Sequence, residues 1–312
     1  MPTWSELLSK LQKEIRPPIH DNIRRHYLHE LSKKTDRDII VYATKWTQRP
    51  TNSIEISIEN GDIQGLMEVM HGLERKKLDL IIHSPGGSAE AAEGILNYLR
   101  TKYDDIRAII PMMAMSAATM LACGSNKIVM GKHSFLGPID PQIRISTELG
   151  ERYVPAQIIK DQWERAIDEI KEGDPRVAVA WLPIIKQYGP DLLQLCDVAI
   201  DLSRDLVKGW LENYMFSNLK EKSKADRIAS WLSDQREFKS HGRLISRKQL
   251  VDHGLKIEPL EKDQELQDLV LSIFHSTTLT FDHTQAIKII ENHKGKAFII
   301  MSKVVPIEKT LQ

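Results

Sequence analysis

Residues 78–102, LDLIIHSPGGSAEAAEGILNYLRTK, decide the fold. Leu78 to His83 is a short apolar run of strand character, and Ser84-Pro85-Gly86-Gly87-Ser88 punctuates it. Ala89 to Lys102 follows, rich in Ala, Glu and Leu, residues that lose little freedom in a helix. Working outward toward the N-terminus, Asp38 to Thr44 (DIIVYAT) reads as a second strand, and Asn60-Gly61-Asp62 marks a turn before a helix from Gln64 to Leu73. Toward the C-terminus come a strand from Ile106 to Pro111, a helix starting near Ser116, a strand from Lys127 to Met130 and the turn-rich Gly137-Pro138-Ile139-Asp140-Pro141. Strands alternating with helices predict an α/β fold with parallel strands and right-handed crossovers. Their near-continuous apolar character predicts burial on both faces.

The 312 residues allow one large domain or two modest ones. Residues 1–35 read as an N-terminal helical arm, broken at Arg16-Pro17-Pro18, with Trp4, Leu7, Leu8 and Leu11 at helical spacing. Residues 36–260 form the expected catalytic domain, and 261–312 a C-terminal extension with one helix and a β ending. From Ala156 to Ser233 the pattern is helical, interrupted at Gly173-Asp174-Pro175 and Gly189-Pro190.

Lys and Arg together number 43, as do Asp and Glu, so the formal net charge is zero. That balance argues against a nucleic-acid binder held by a basic face. The start, MPTWSE, lacks the basic and apolar regions of a signal peptide, and Cys123 and Cys196 have no metal-ligand spacing. A cytoplasmic location is expected. Ala108 to Cys123 is an apolar run short of the roughly 20 residues that a membrane span needs, so no transmembrane segment is expected.

Three places could carry chemistry. Gly86-Gly87 lets backbone amides face a ligand at the positive end of the next helix, or is simply a tight turn. Ser116 either caps its helix or presents Oγ beside the amides of Ala117 and the glycine turn, an oxyanion-hole arrangement. Lys160, in the largely apolar YVPAQIIK, is either a solvated lysine or a base whose pKa burial lowers. His133 reads as a turn histidine or a base, Asp140 as a turn former or an orienting carboxylate, and His241 as a structural histidine or part of the site.

Taken in order, HSPGGS (83–88), MSAAT (115–119), KIVM (127–130), LGPIDPQ (136–142), PAQIIK (155–160) and HGRLI (241–245) with Gly254-Leu255 resemble the prokaryotic serine peptidases related to signal peptide peptidase A. The subgroup most similar is the one called serine dehydrogenase proteinase, and the resemblance covers roughly residues 36 to 258. It implies a Clp protease/crotonase-like fold of stacked ββα units, a homo-oligomer, and a peptide or protein substrate. Carried over by motif, it implies Ser116 as nucleophile, Lys160 as base, and the amides of Gly87 and Ala117 as oxyanion hole, with Gly86, His133, Asp140 and His241 in supporting positions. This chemistry needs no cofactor and no metal. Where the family commonly has Gly-Gly after the serine this chain has Ala117-Ala118, whose Cβ atoms narrow the site. A crotonase-like acyl-CoA enzyme and a non-catalytic scaffold of the same fold stay open as alternatives.

Overall fold

The computed structural model describes residues 19–48, 55–147, 150–218 and 221–302. The first described helix, α1 (Ile19–Thr35), leads into β1 (Asp38–Thr44). Three βα units follow: α2 (Asp62–Met70) and β2 (Lys77–His83), α3 (Ala89–Arg100) and β3 (Asp105–Ile110), then the short β4 (Met113–Ala114), α4 (Ala117–Cys123) and β5 (Lys127–Met130). After β6 (Phe135–Leu136) a hairpin, β7 (Gln142–Thr147) and β8 (Gly150–Pro155), opens a helical region of α5 (Ala156–Lys171), α6 (Pro175–Ile185), α7 (Leu192–Trp210), α8 (Ser223–Ser233) and α9 (Gln235–Phe238). The last described elements are β9 (Ile245–Ser246), α10 (Arg247–Asp252), β10 (Ile257–Pro259), α11 (Gln264–His283), β11 (Ala286–Asn292) and β12 (Ala297–Met301).

The main sheet has the order β10-β5-β3-β2-β1-β11-β12. Its first five strands are parallel, as the βα pattern predicts, while β11 runs antiparallel to both β1 and β12. Alternation along each strand feeds two cores. Ile40, Tyr42, Leu80, Ile82, Ala108 and Ile110 face one layer with α2, α3, α4, α7 and α8, whereas Ile39, Val41, Ile81 and Ile109 face the other with Leu28 and Leu31 of α1 and Val270 and Ile273 of α11. Helices therefore cover both faces, which is why the strands read as unbroken apolar runs. The apolar stretch 108–123 divides into the end of β3, then β4 and α4, all within this interior. Among the described residues, no helix is long and apolar enough to cross a membrane.

Elements on both sides of the expected boundaries at 35 and 260 contribute to the same sheet and core. Residues 286–292 enter the sheet beside β1, with Tyr42 opposite Ile290, and Arg24 of α1, fully buried, is ion-paired with Glu291 of β11. Alternation alone could not reveal this, because an antiparallel insertion is chosen by long-range pairing. The reading of residues 1–18, and of the β ending beyond residue 302, lies outside the described residues. The β7–β8 hairpin was also not anticipated, although Ile143, Ile145 and Val154 alternate with polar residues along its strands and pack against a small core of Ala156, Ile159, Leu192 and Cys196.

Candidate active site

A second, three-stranded sheet of order β4-β6-β9 organises the site. β4 runs parallel to β6, and β6 antiparallel to β9. The residues just after β4, just after β6 and just before β9 therefore emerge at one end of this sheet. Those three loops carry Ser116, Asp140 and His241.

Ser116 has φ 51° and ψ −122°, a conformation that non-glycine residues rarely adopt. Its side chain makes no capping hydrogen bond, so the helix-cap reading does not hold. The strained backbone is held by its neighbours. The Met115 N–H donates to Ser84 O (3.0 Å), the Ser84 N–H donates to Met113 O (3.2 Å), and the Thr119 hydroxyl donates to Ala114 O while accepting from the Gly137 N–H. A serine lifted in this way between a strand and a helix N-terminus presents Oγ outward, as in a nucleophile elbow.

The glycine turn lies directly against it. A Cβ on Gly86, whose φ is +100°, would come within 2.7 Å of Ser116 Cβ and 3.0 Å of the Ala117 nitrogen. Gly87 makes a β-bridge with Ile58, and a Cβ there would sit 2.3 Å from Ile58 O. Only glycine permits both approaches. Ala117 is the first residue of α4, whose N–H has no intrahelical acceptor, and among the described residues no hydrogen bond engages the N–H of Ala117 or Gly87.

Ser116, Gly86, Gly87 and His241 all line one cavity of about 730 Å³. Its apolar wall is built by Ile139, Tyr153 and one face of α7, Leu195, Val198, Ala199 and Leu202. That spacing of 3, 1 and 3 is a helical stripe. The rim also holds two carboxylates that sequence reading passed over: Glu90 accepts from Ser88 Oγ (2.6 Å), and Glu59 lies 3.7 Å from Lys288 Nζ.

His241 and Asp140 meet there. His241 Nδ1 is 2.8 Å from Asp140 Oδ1, and the other Asp140 oxygen accepts from Gln142 Nε2 (3.0 Å). Asp140 is buried, and the Ile139 N–H donating to Leu232 O (2.8 Å) fixes its loop. A carboxylate only accepts, so Nδ1 carries the hydrogen and Nε2 keeps its lone pair in the neutral imidazole.

Lys160 departs from expectation. It stands on α5 with Nζ 2.5 Å from Asp197 Oδ1 on α7, and this hydrogen-bonded carboxylate raises its pKa rather than lowering it. It is absent from the cavity lining. The apolar residues before it, notably Ile159, pack with Ala156 and Cys196 in a small separate core, leaving the lysine partly exposed. His133 is likewise elsewhere: it is exposed in the turn after β5, its ring against Gly131. His83, ahead of the glycine turn, faces the opposite layer against Trp46 and Phe274, where burial pulls its imidazole down to about 4. Both cysteines are free and buried, and among the described residues no cluster of His, Cys, Asp and Glu could hold a metal.

Residues 19–172 match the family model of the ClpP-like SDH-type serine proteinases. Two uncharacterized proteins of Methanocaldococcus jannaschii, MJ0137 and MJ1495, are 34% identical over 120 residues and 30% identical over 155. These matches cover 37% and 47% of this chain and 42% and 51% of the relatives, so the chain spans about half their length or less. Among solved structures, a mutant of the 1510-N membrane-bound stomatin-specific protease aligns with a TM-score of 0.37 at 13% identity, covering 64% of this chain and 74% of that one.

Proposed function

Because residues 19–172 match the model of the ClpP-like SDH-type serine proteinases, we propose that this cavity hydrolyses peptide bonds with Ser116 as nucleophile. The observation that carries the proposal is the strained Ser116 backbone, clamped between the glycine turn and the start of α4 and open to the cavity. Ser116 Oγ attacks the scissile carbonyl, whose oxygen takes up negative charge. The N–H groups of Gly87 and Ala117, the latter at the positive end of α4, receive that oxygen. Collapse expels the amine and leaves an acyl-enzyme, which water hydrolyses. The substrate is a peptide or protein segment laid along the apolar wall of α7. The Ala117-Ala118 pair keeps both amides, so the site is narrowed rather than disabled.

The Ser/Lys dyad that the family resemblance implied is not the reading this geometry favours. A lysine base must be neutral, and Asp197 holds Lys160 in its charged form. We extend the proposal to self-assembly, since α6 buries none of its residues and exposes Val179 and Leu182. Mass photometry showing only monomers at micromolar concentration would remove that extension.

A fluorophosphonate probe with mass-spectrometric site mapping tests the nucleophile. The label is expected on Ser116 and absent from Ser116→Ala. A wild-type chain that stays unlabelled beside a reactive control hydrolase would overturn the proposal.

A further inference from the structure

The geometry points to a substrate segment that carries a basic side chain next to an apolar one, the cation being received by Glu59 and Glu90 at the cavity rim. This rests on the cavity being the place where peptide lies, as proposed above. Its two sides differ in chemistry. Leu195, Val198 and Leu202 of α7, with Ile139, form the apolar wall, whereas Glu59 and Glu90 belong to the glycine-turn side. Among the described residues no lysine or arginine lines the cavity beside them.

The charge of these carboxylates is not spent within the fold. Lys288 Nζ is the cation near Glu59, but it is committed to Asp62 Oδ1 (2.7 Å) and Ser57 O (2.8 Å), with Glu59 further off at 3.7 Å and 45% exposed. One buried cation facing two carboxylates leaves a negative charge, and the more exposed carboxylate is the one on the rim. Glu90 is exposed in the first turn of α3, where it accepts from the neutral Ser88 hydroxyl. The positive end of α3 offsets about half a unit of charge there at most. Both carboxylates are tied to the oxyanion side of the site. The Ile58 N–H donates to Gly86 O (2.7 Å) and the Ser88 N–H to Ile58 O (3.0 Å), so Glu59 directly follows a residue paired across Gly87, and Glu90 lies three positions beyond Gly87. A lysine or arginine on a residue flanking the scissile bond is long enough to reach this rim while its apolar neighbour meets α7. The formal net charge of the chain is zero, so the attraction is local to the rim.

The test is peptide binding to the full chain carrying Ser116→Ala, which leaves bound peptides intact. Three N-acetylated heptapeptides serve as probes, each with a central leucine flanked on both sides by Lys, Gln or Glu and a neutral dye at the C-terminus, followed by fluorescence anisotropy. The Lys peptide is expected to bind about 3–10-fold more tightly than the Gln peptide, the order that two partly exposed ion pairs supply, and the Glu peptide more weakly than either. The preference should shrink as salt is raised, since the carboxylates are open to solvent. Replacing the central leucine by serine should weaken the Lys peptide, which a purely electrostatic patch would not do. Glu59→Gln and Glu90→Gln should each lower the Lys-to-Gln ratio, and Glu59→Gln combined with Glu90→Lys should reverse the order of the Lys and Glu peptides. Each variant is read as a ratio between peptides, so a loss of folded protein cancels. Equal affinities for the three peptides, no binding by any of them, or a Lys preference that survives in the double variant would overturn the inference. An unlabelled wild-type Ser116 in the fluorophosphonate experiment would remove the nucleophile and leave the binding preference standing, so the two failures are told apart.

Discussion

At the residue scale, the informative signal is conformational. A φ of 51° at Ser116 stores on the order of 1–3 kcal/mol of strain, and the neighbouring hydrogen bonds hold it in place. Replacing Ser116 by glycine releases that strain without altering any contact of the fold. The melting temperature of Ser116→Gly should therefore rise by a degree or more while labelling disappears, a trade of stability against activity. A fall in melting temperature would show that the backbone there is not strained. Sequence named Ser116, Gly86 and Gly87 because local punctuation marks strand-to-helix turns. It left Lys160 open between a solvated lysine and a base, since the Asp197 carboxylate paired with it sits on another helix.

At the element scale, β11 does more than extend the sheet. Its Lys288, fully buried, reaches Asp62 Oδ1 (2.7 Å) and Ser57 O (2.8 Å), while Asp62 also accepts from the Tyr42 hydroxyl (2.7 Å) and the Glu59 N–H (3.0 Å). This network pins the turn at 57–59, whose Ile58 bridges Gly87 at the cavity rim. Lys288→Met would leave Asp62 buried without its cation. Urea unfolding should show a loss of about 3–5 kcal/mol. The double variant with Asp62→Asn should recover part of it, and unchanged stability in the single variant would mean the pair is dispensable. Nothing local to residues 286–292 announces this role, because a lysine in an apolar run looks the same whether it snorkels or pairs.

At the scale of the whole molecule, α1, α11 and β11 form one body with the βα units. Deleting residues 284–312 strips β1 of its antiparallel partner and Arg24 of Glu291, and should give aggregated protein. A soluble, cooperatively unfolding truncation would show that the tail is separable after all. The buried histidines set the acid limit of this body. His83, pulled down to about 4 by burial, stays neutral when folded, whereas unfolded it takes a proton below about 6.5. The unfolded state then binds more protons between these values, so this stabilisation, roughly 3 kcal/mol, is complete above pH 6.5 and lost as pH falls toward 4. Burial lowers His275 and His293 in the same sense. Urea midpoints at pH 7 and pH 5 should differ less in His83→Gln than in wild type.

The sequence by itself determined the alternation of strands and helices over residues 38–130, the parallel sheet, the glycine turn and the serine at the start of a helix. Each of these rests on periodicity and punctuation within a few residues. Only the tertiary structure decided that His241 meets Asp140 across 101 positions of chain, that Lys160 is tied to Asp197, and that β11 lies beside β1. Those pairings depend on which surfaces the packed layers bring together, and no local pattern encodes the partner.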